Sequence, residues 1–134
     1  MYKKCITRVQ HRAARIVTGQ FDYINVRGHD IMLQLRWQSV DQRRDYFTTT
    51  LMFKCLTEKA PVHLRNEMSF VSENHDVRTR FSQNYNVVTP RPNTEQFKKS
   101  LCYYGPQVWN ALPADIKLAE THNELKHLYK KRFF

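Results

Sequence analysis

Residues 103–116 read YYGPQVWNALPADI, and this stretch restricts the backbone more than any other in the chain. Proline fixes φ and has no N–H, so Pro106 suits the first turn of a helix, where that donor would have no partner. Pro113 ends the same helix and opens another. Val108, Trp109 and Leu112 fall on neighbouring positions of the two-turn helix between them. Asp115 sits in the first turn of the next, where the helix dipole favours an acid. Asn110 is placed to bond loop backbone at the corner. The expected unit is helix, corner, helix. Its structural anchors are Gly105, Pro106, Trp109, Asn110, Leu112 and Pro113, and the indole can bury up to ~250 Å².

Periodicity supplies the other elements. Residues 2–18 carry Tyr2, Ile6, Val9, Ala13, Ile16 and Val17 at helical spacing, predicted to face inward. Gly19 follows as a left-handed C-terminal cap. Residues 20–38 read as a loop and a short helix with Ile31, Met32 and Leu35 on one face, and Trp37 as the anchor of the turn that leaves it. Ser39 and Gln42 form a capping box. It starts a helix over residues 40–58, with Val40, Arg43, Phe47, Leu51, Lys54 and Cys55 along one side. Ala60-Pro61 ends that helix, and residues 62–67 hold one further turn. Thr121 and Glu124 form a second capping box before a last helix, with Leu125, Leu128 and Tyr129 inward and Lys126, Lys130, Lys131 and Arg132 outward.

Residues 68–100 lack a sustained helical period and read as an irregular or extended insert. Runs at 68–72 and 85–89 are expected to pair as short strands across an excursion containing Asn74, His75 and Arg78-Thr79-Arg80. Thr89-Pro90-Arg91-Pro92 forces an extended path, and residues 97–103 are either a strand or the lead-in to the next helix. The expected fold class is mainly α. It is one small helical domain over residues 1–134, with a minor β-hairpin or irregular extended segment around 68–103.

Charge narrows the function. Twenty-two Lys plus Arg against 12 Asp plus Glu give a net charge of +10, which suits a polyanionic partner such as RNA or DNA. The cysteines, Cys5, Cys55 and Cys102, form no CxxC pair, so neither a disulfide framework nor a zinc knuckle is encoded. Free thiols fit an intracellular setting, nucleus or cytoplasm. No apolar run approaches the ~18 residues of a membrane span, and the basic N-terminus has no apolar signal core.

The chemistry of an enzyme is missing from the sequence. A polymerase or nuclease needs clustered carboxylates for two divalent metals, and the chain has no Asp-Asp pair. Gly19, Gly28 and Gly105 are too few for a phosphate-cradling loop. No G-x-S-x-G is present. His122 and His127 are five apart, wrong for one helix face, and His63 and His75 flank an irregular segment. No catalytic residue, metal or cofactor is assigned. Binding remains. Lys4, Arg8, Arg12 and Arg15 form a basic stripe on the first helix, and no acid precedes Asp22. Such a stripe sets cations against successive phosphates, a sequence-independent, salt-sensitive contact. Arg78, Arg80, Lys130 and Lys131 are secondary candidates. Trp37, Trp109 and Tyr104 are able to stack on bases, although core anchoring explains each more simply.

The order of features also carries a resemblance. Arg12-Ala13-Ala14-Arg15-Ile16-Val17-Thr18-Gly19 comes first, then Leu35 to Trp37, Arg43-Arg44, Leu51-Met52-Phe53-Lys54 and Ala60-Pro61. Thr79-Arg80, Pro90-Arg91-Pro92, Lys98-Lys99-Ser100, Tyr104-Gly105 and Trp109-Asn110 to Leu112-Pro113 follow. From about residue 5 to residue 132 this series resembles the C-terminal tail of reverse-transcriptase polyproteins of non-LTR retrotransposons, the LINE-like elements of the jockey and CR1 kind. The chain departs from that pattern at Ser100-Leu101-Cys102-Tyr103, where many relatives read S-F-x-Y, and at Glu124-Leu125-Lys126. The resemblance implies that endonuclease and polymerase domains lie upstream and that their catalytic residues are not in this chain. It implies a non-catalytic fragment of an RNA-directed DNA polymerase that helps hold template RNA or target DNA. The alternatives are a module that docks on the upstream polymerase without touching nucleic acid, or a non-functional remnant of a truncated element.

Overall fold

The computed structural model describes residues 2–74 and 84–134. The fold is mainly helical, in line with the sequence. Among the described residues its helices are α1 (Tyr2–Thr18), α2 (Gly28–Gln34), α3 (Val40–Leu56), α4 (Val62–Asn66), α5 (Val71–Asn74), α6 (Glu95–Lys98), α7 (Leu101–Asn110), α8 (Ala114–Lys117) and α9 (His122–Phe133). The chain divides into two compact units, one of residues 1–44 with Phe134, the other of residues 45–133. One domain over residues 1–134 is the expectation from sequence. The division falls within the first turns of α3.

In the smaller unit, α1 ends where expected, with Gly19 at a φ of +67°. Its packed face is not the predicted one. Ala14 is buried with Ile31 and Met32 of α2, and Val26 and Leu35 pack against them. Ile6, Val9, Ile16 and Val17 are exposed, Ile16 to 69%. The reason is the closeness of α2. A Cβ on Gly28 would lie 2.5 Å from the His11 ring, so α2 begins almost against α1 and needs the side bearing His11 and Ala14. The Ser39–Gln42 capping box forms in both directions: the Ser39 N–H donates to Gln42 Oε1 and the Gln42 N–H to Ser39 Oγ. Trp37 is 38% exposed, so it is no core anchor, although its N–H closes the end of α2 on the Met32 carbonyl.

The larger unit holds the main core: Met52, Phe53, Cys55, Met68, Val87, Trp109, Leu112, Ile116, Ala119, Leu125 and Tyr129. Here α3 buries Thr49, Thr50, Met52, Phe53 and Cys55, whereas Phe47 is 56% exposed, so the buried face is rotated from the predicted line. Thr50 is tolerated on it because its hydroxyl bonds the preceding turn, Oγ1 donating to the Phe47 carbonyl at 2.9 Å. The expected strand pair is reduced to one antiparallel bridge, Phe70 with Val87, because the chain turns into α5 at Val71.

The proline corner also differs in detail. Helix α7 starts at Leu101, well before Pro106, which lies inside it. Residues 97–103 are therefore the end of α6 and the start of α7, not a strand. A proline in that position lacks the donor for the carbonyl four residues back. Packing overrides this cost. Gly105 and Pro106 are both buried, and a Cβ on Gly105 would sit 2.5 Å from Met52 Sδ. Gly105 is thus a close-approach glycine rather than a helix opener. Pro113 precedes α8 as expected, with Asp115 in its first turn.

Candidate nucleic-acid interface

In α1 the cationic stripe divides. Lys4, Arg8 and Arg12 are exposed, and among the described residues they form no ion pair. Arg15 turns inward and is only 5% exposed. Its guanidinium donates to the carbonyls of Asp22 at 2.8 Å and Val26 at 2.6 Å, and at 3.4 Å to that of Gln20. It also lies over the Tyr23 ring, 4.4 Å from the centroid. An arginine suits this position because its fork of donors serves several carbonyls at once while its stem fills apolar space. Arg15 therefore fixes the loop between α1 and α2 and has little left for a phosphate.

The same loop carries an internal turn. The Asp22 carboxylate accepts from the backbone N–H groups of Ile24 and Asn25 and from the Asn25 side-chain amide. These bonds, that of the Asn25 backbone first, hold its carboxyl below the usual range. The loop's acid is occupied by its own backbone, and Phe21, Tyr23 and Ile24 stay exposed. Arg8, His11, Arg12, Arg15 and Tyr23 line a cleft of about 190 Å³. Tyr23 was not singled out from sequence. The available signal was an aromatic residue in the loop right after a basic helix.

The other candidates are placed as follows. Arg78 and Arg80 lie outside the described residues. Lys130, in α9 of the larger unit, has its ammonium 5.9 Å from the Tyr46 ring centroid, and Lys131 is exposed in the last turn. Of the aromatic candidates, Trp109 is 2% exposed and Tyr104 donates its hydroxyl to Asp45, so both serve the larger unit's interior. Trp37 is open to solvent and is not among the residues lining the cleft of Arg8, Arg12 and Tyr23.

Trp109 and Asn110 build a polar node that the sequence only partly foretold. Trp109 Nε1 donates to the Tyr85 carbonyl at 3.0 Å. Asn110 bonds Val87 twice, accepting from its N–H and donating to its carbonyl, both at 2.8 Å. Lys117, buried, donates to Asn86 Oδ1 and to the Asn110 carbonyl, and burial pushes its pKa down. The segment is thus tied across 23 residues of chain rather than at a local corner. A second cleft of about 310 Å³ in this unit, lined by Asp45, Gln107, Val108, Ala111, Leu112, Tyr129 and Phe133, contains one carboxylate. Among the described residues no three His, Cys, Asp or Glu side chains converge as a metal site, and no helix is long and apolar enough to cross a membrane.

No protein-family model, curated protein or solved structure matches the chain.

Proposed function

We propose that this chain is a non-catalytic C-terminal segment of a retrotransposon reverse transcriptase and holds template RNA or target DNA through the exposed cations of α1. The observation that carries it is the run of Lys4, Arg8 and Arg12 at successive turns of one helix, open to solvent and free of ion pairs among the described residues. Guanidinium and ammonium groups so spaced neutralise neighbouring phosphates without reading bases. The family assignment rests on the order of the sequence signatures, and catalysis in this view belongs to upstream domains. Binding of the full chain to an RNA hairpin and to duplex DNA should weaken as salt rises, and each phosphate contact removed should lower the slope of log K against log salt by about 0.7–0.9. Affinity that is absent or indifferent to salt would refute the proposal.

A second reading, a docking module for the upstream polymerase, is favoured by the exposed Ile6, Val9, Ile16 and Val17 on another side of α1. An apolar stripe of this kind is unusual on a surface with no partner. Charge reversal at Arg8 and Arg12 separates the two. It abolishes nucleic-acid binding in the first reading and leaves association with a polymerase fragment intact in the second.

A further inference from the structure

Within the nucleic-acid reading, on which this step rests, we infer that the cleft of Arg8, Arg12 and Tyr23 takes one nucleotide of a single strand. The two guanidiniums receive the phosphate and the base stacks on the Tyr23 ring. Four observations converge. The cleft is shared by the cations and the ring. Arg15, which also lines the cleft, lies over that ring and spends its donors on the loop carbonyls, so the ring is held in place. Tyr23 is 68% exposed even with Arg15 over its ring, so ring surface remains for a base. The nearby acid, Asp22, is engaged with the N–H groups of Ile24 and Asn25, and among the described residues it forms no ion pair with Arg8 or Arg12. A preset aromatic face beside free cations is how sequence-tolerant single-strand sites are built. Every base has a π-face to offer, but in a duplex those faces are already stacked. The site therefore prefers unpaired RNA or DNA, where the stripe alone would not discriminate.

The test compares the full-length wild type with Tyr23→Ala, Tyr23→Phe and the double variant Arg8→Gln/Arg12→Gln. The probes are an oligouridine RNA, an oligothymidine DNA of the same length, a mixed-sequence duplex and phosphatidylserine vesicles. Circular dichroism and hydrogen exchange of α1 and α2 check that each variant is folded. Tyr23→Ala should lower single-strand affinity about tenfold, the scale of one lost base–aromatic stack, with duplex affinity and the salt slope unchanged. Tyr23→Phe should bind as the wild type. The double variant should weaken every nucleic-acid probe and flatten the salt dependence. RNA and DNA strands losing affinity equally places recognition on phosphate and base; loss for one alone adds a sugar contact to the same site. If Tyr23→Ala binds single strands normally while the double variant does not, the nucleotide site is overturned and the phosphate-stripe reading survives. If no probe binds the wild type, both fall. If Tyr23→Ala affects only vesicle capture, the loop is a membrane contact and the inference is wrong.

Discussion

In the unit of residues 1–44 the buried apolar side chains are Ala14, Ile31 and Met32, and a guanidinium joins them in the interior. In the unit of residues 45–133 the core is several times larger and includes an indole, a phenol and two methionines. Fully burying a large aliphatic or aromatic side chain stabilises by about 1.5–3 kcal/mol, so the larger unit has ample apolar driving force. The smaller one is close to the size, about 40 residues, below which burial alone rarely suffices. It relies instead on directional bonds: Arg15 to three carbonyls, Asp22 to its own turn, and the Ser39–Gln42 box. Polar cross-links order a loop without hiding the surface around it. That is why Tyr23 and the neighbouring cations can be both fixed and exposed.

Six substitutions at five positions press on this contrast, beginning with the most damaging. Trp109→Ala removes the indole from the larger core and its bond to the Tyr85 carbonyl, and should cost about 3–5 kcal/mol. The urea midpoint reads this, with core amides of α3 and α7 losing protection together. Arg15→Met keeps the stem but not the donors, and should cost about 2–3 kcal/mol by leaving partly buried carbonyls unmatched. Exchange should rise in residues 20–32 alone; a global loss would show that the units are not energetically distinct. Lysine should restore only part of that protection, having one ammonium where three carbonyls wait.

Cap removal offers a matched pair. Ser39→Ala and Thr121→Ala each delete a hydroxyl that accepts from the third N–H onward, and each should cost ~1 kcal/mol. The fractional effect on exchange should be larger at Ser39, where less apolar burial stands behind the helix start. The smallest effect concerns acid. Burial, then Lys126, Lys54 and Lys59, hold the His122 imidazole below its ordinary value of 6.5. The unfolded chain therefore binds that proton first, and stability falls as pH drops from about 6.5 toward the lowered folded value. His122→Gln should flatten this part of the stability–pH curve, measured by thermal melts across mildly acidic buffers.

Features set by neighbouring residues were legible in the sequence. Gly19 ends α1, the Ser39–Gln42 box closes in both directions, Thr121 accepts from the Glu124 N–H while the Glu124 carboxylate accepts from Glu120 instead of Thr121, and Pro113 opens α8, because each depends on a few adjacent φ/ψ angles and donors. What distant packing decides was not. Spacing along α1 reveals an apolar stripe at Ile6, Val9, Ile16 and Val17 but not which side α2 will choose, and Gly28 against His11 makes that choice. Likewise Pro106 looks like a helix start by local rules, yet the fit of Gly105 to Met52 carries the helix through it. The candidate site shows the same split. Lys4, Arg8 and Arg12 were readable as a stripe. The inward turn of Arg15 was not, because its carbonyl partners assemble only when the loop closes.

The thiols turn this architecture into a timepiece. Cys55 is wholly enclosed, and burial, then Cys102, push its pKa up, so it is both hidden and protonated. Cys5 stands open on α1. A maleimide dye added to the intact chain should mark Cys5 promptly and reach Cys55 only as fast as the larger core breathes.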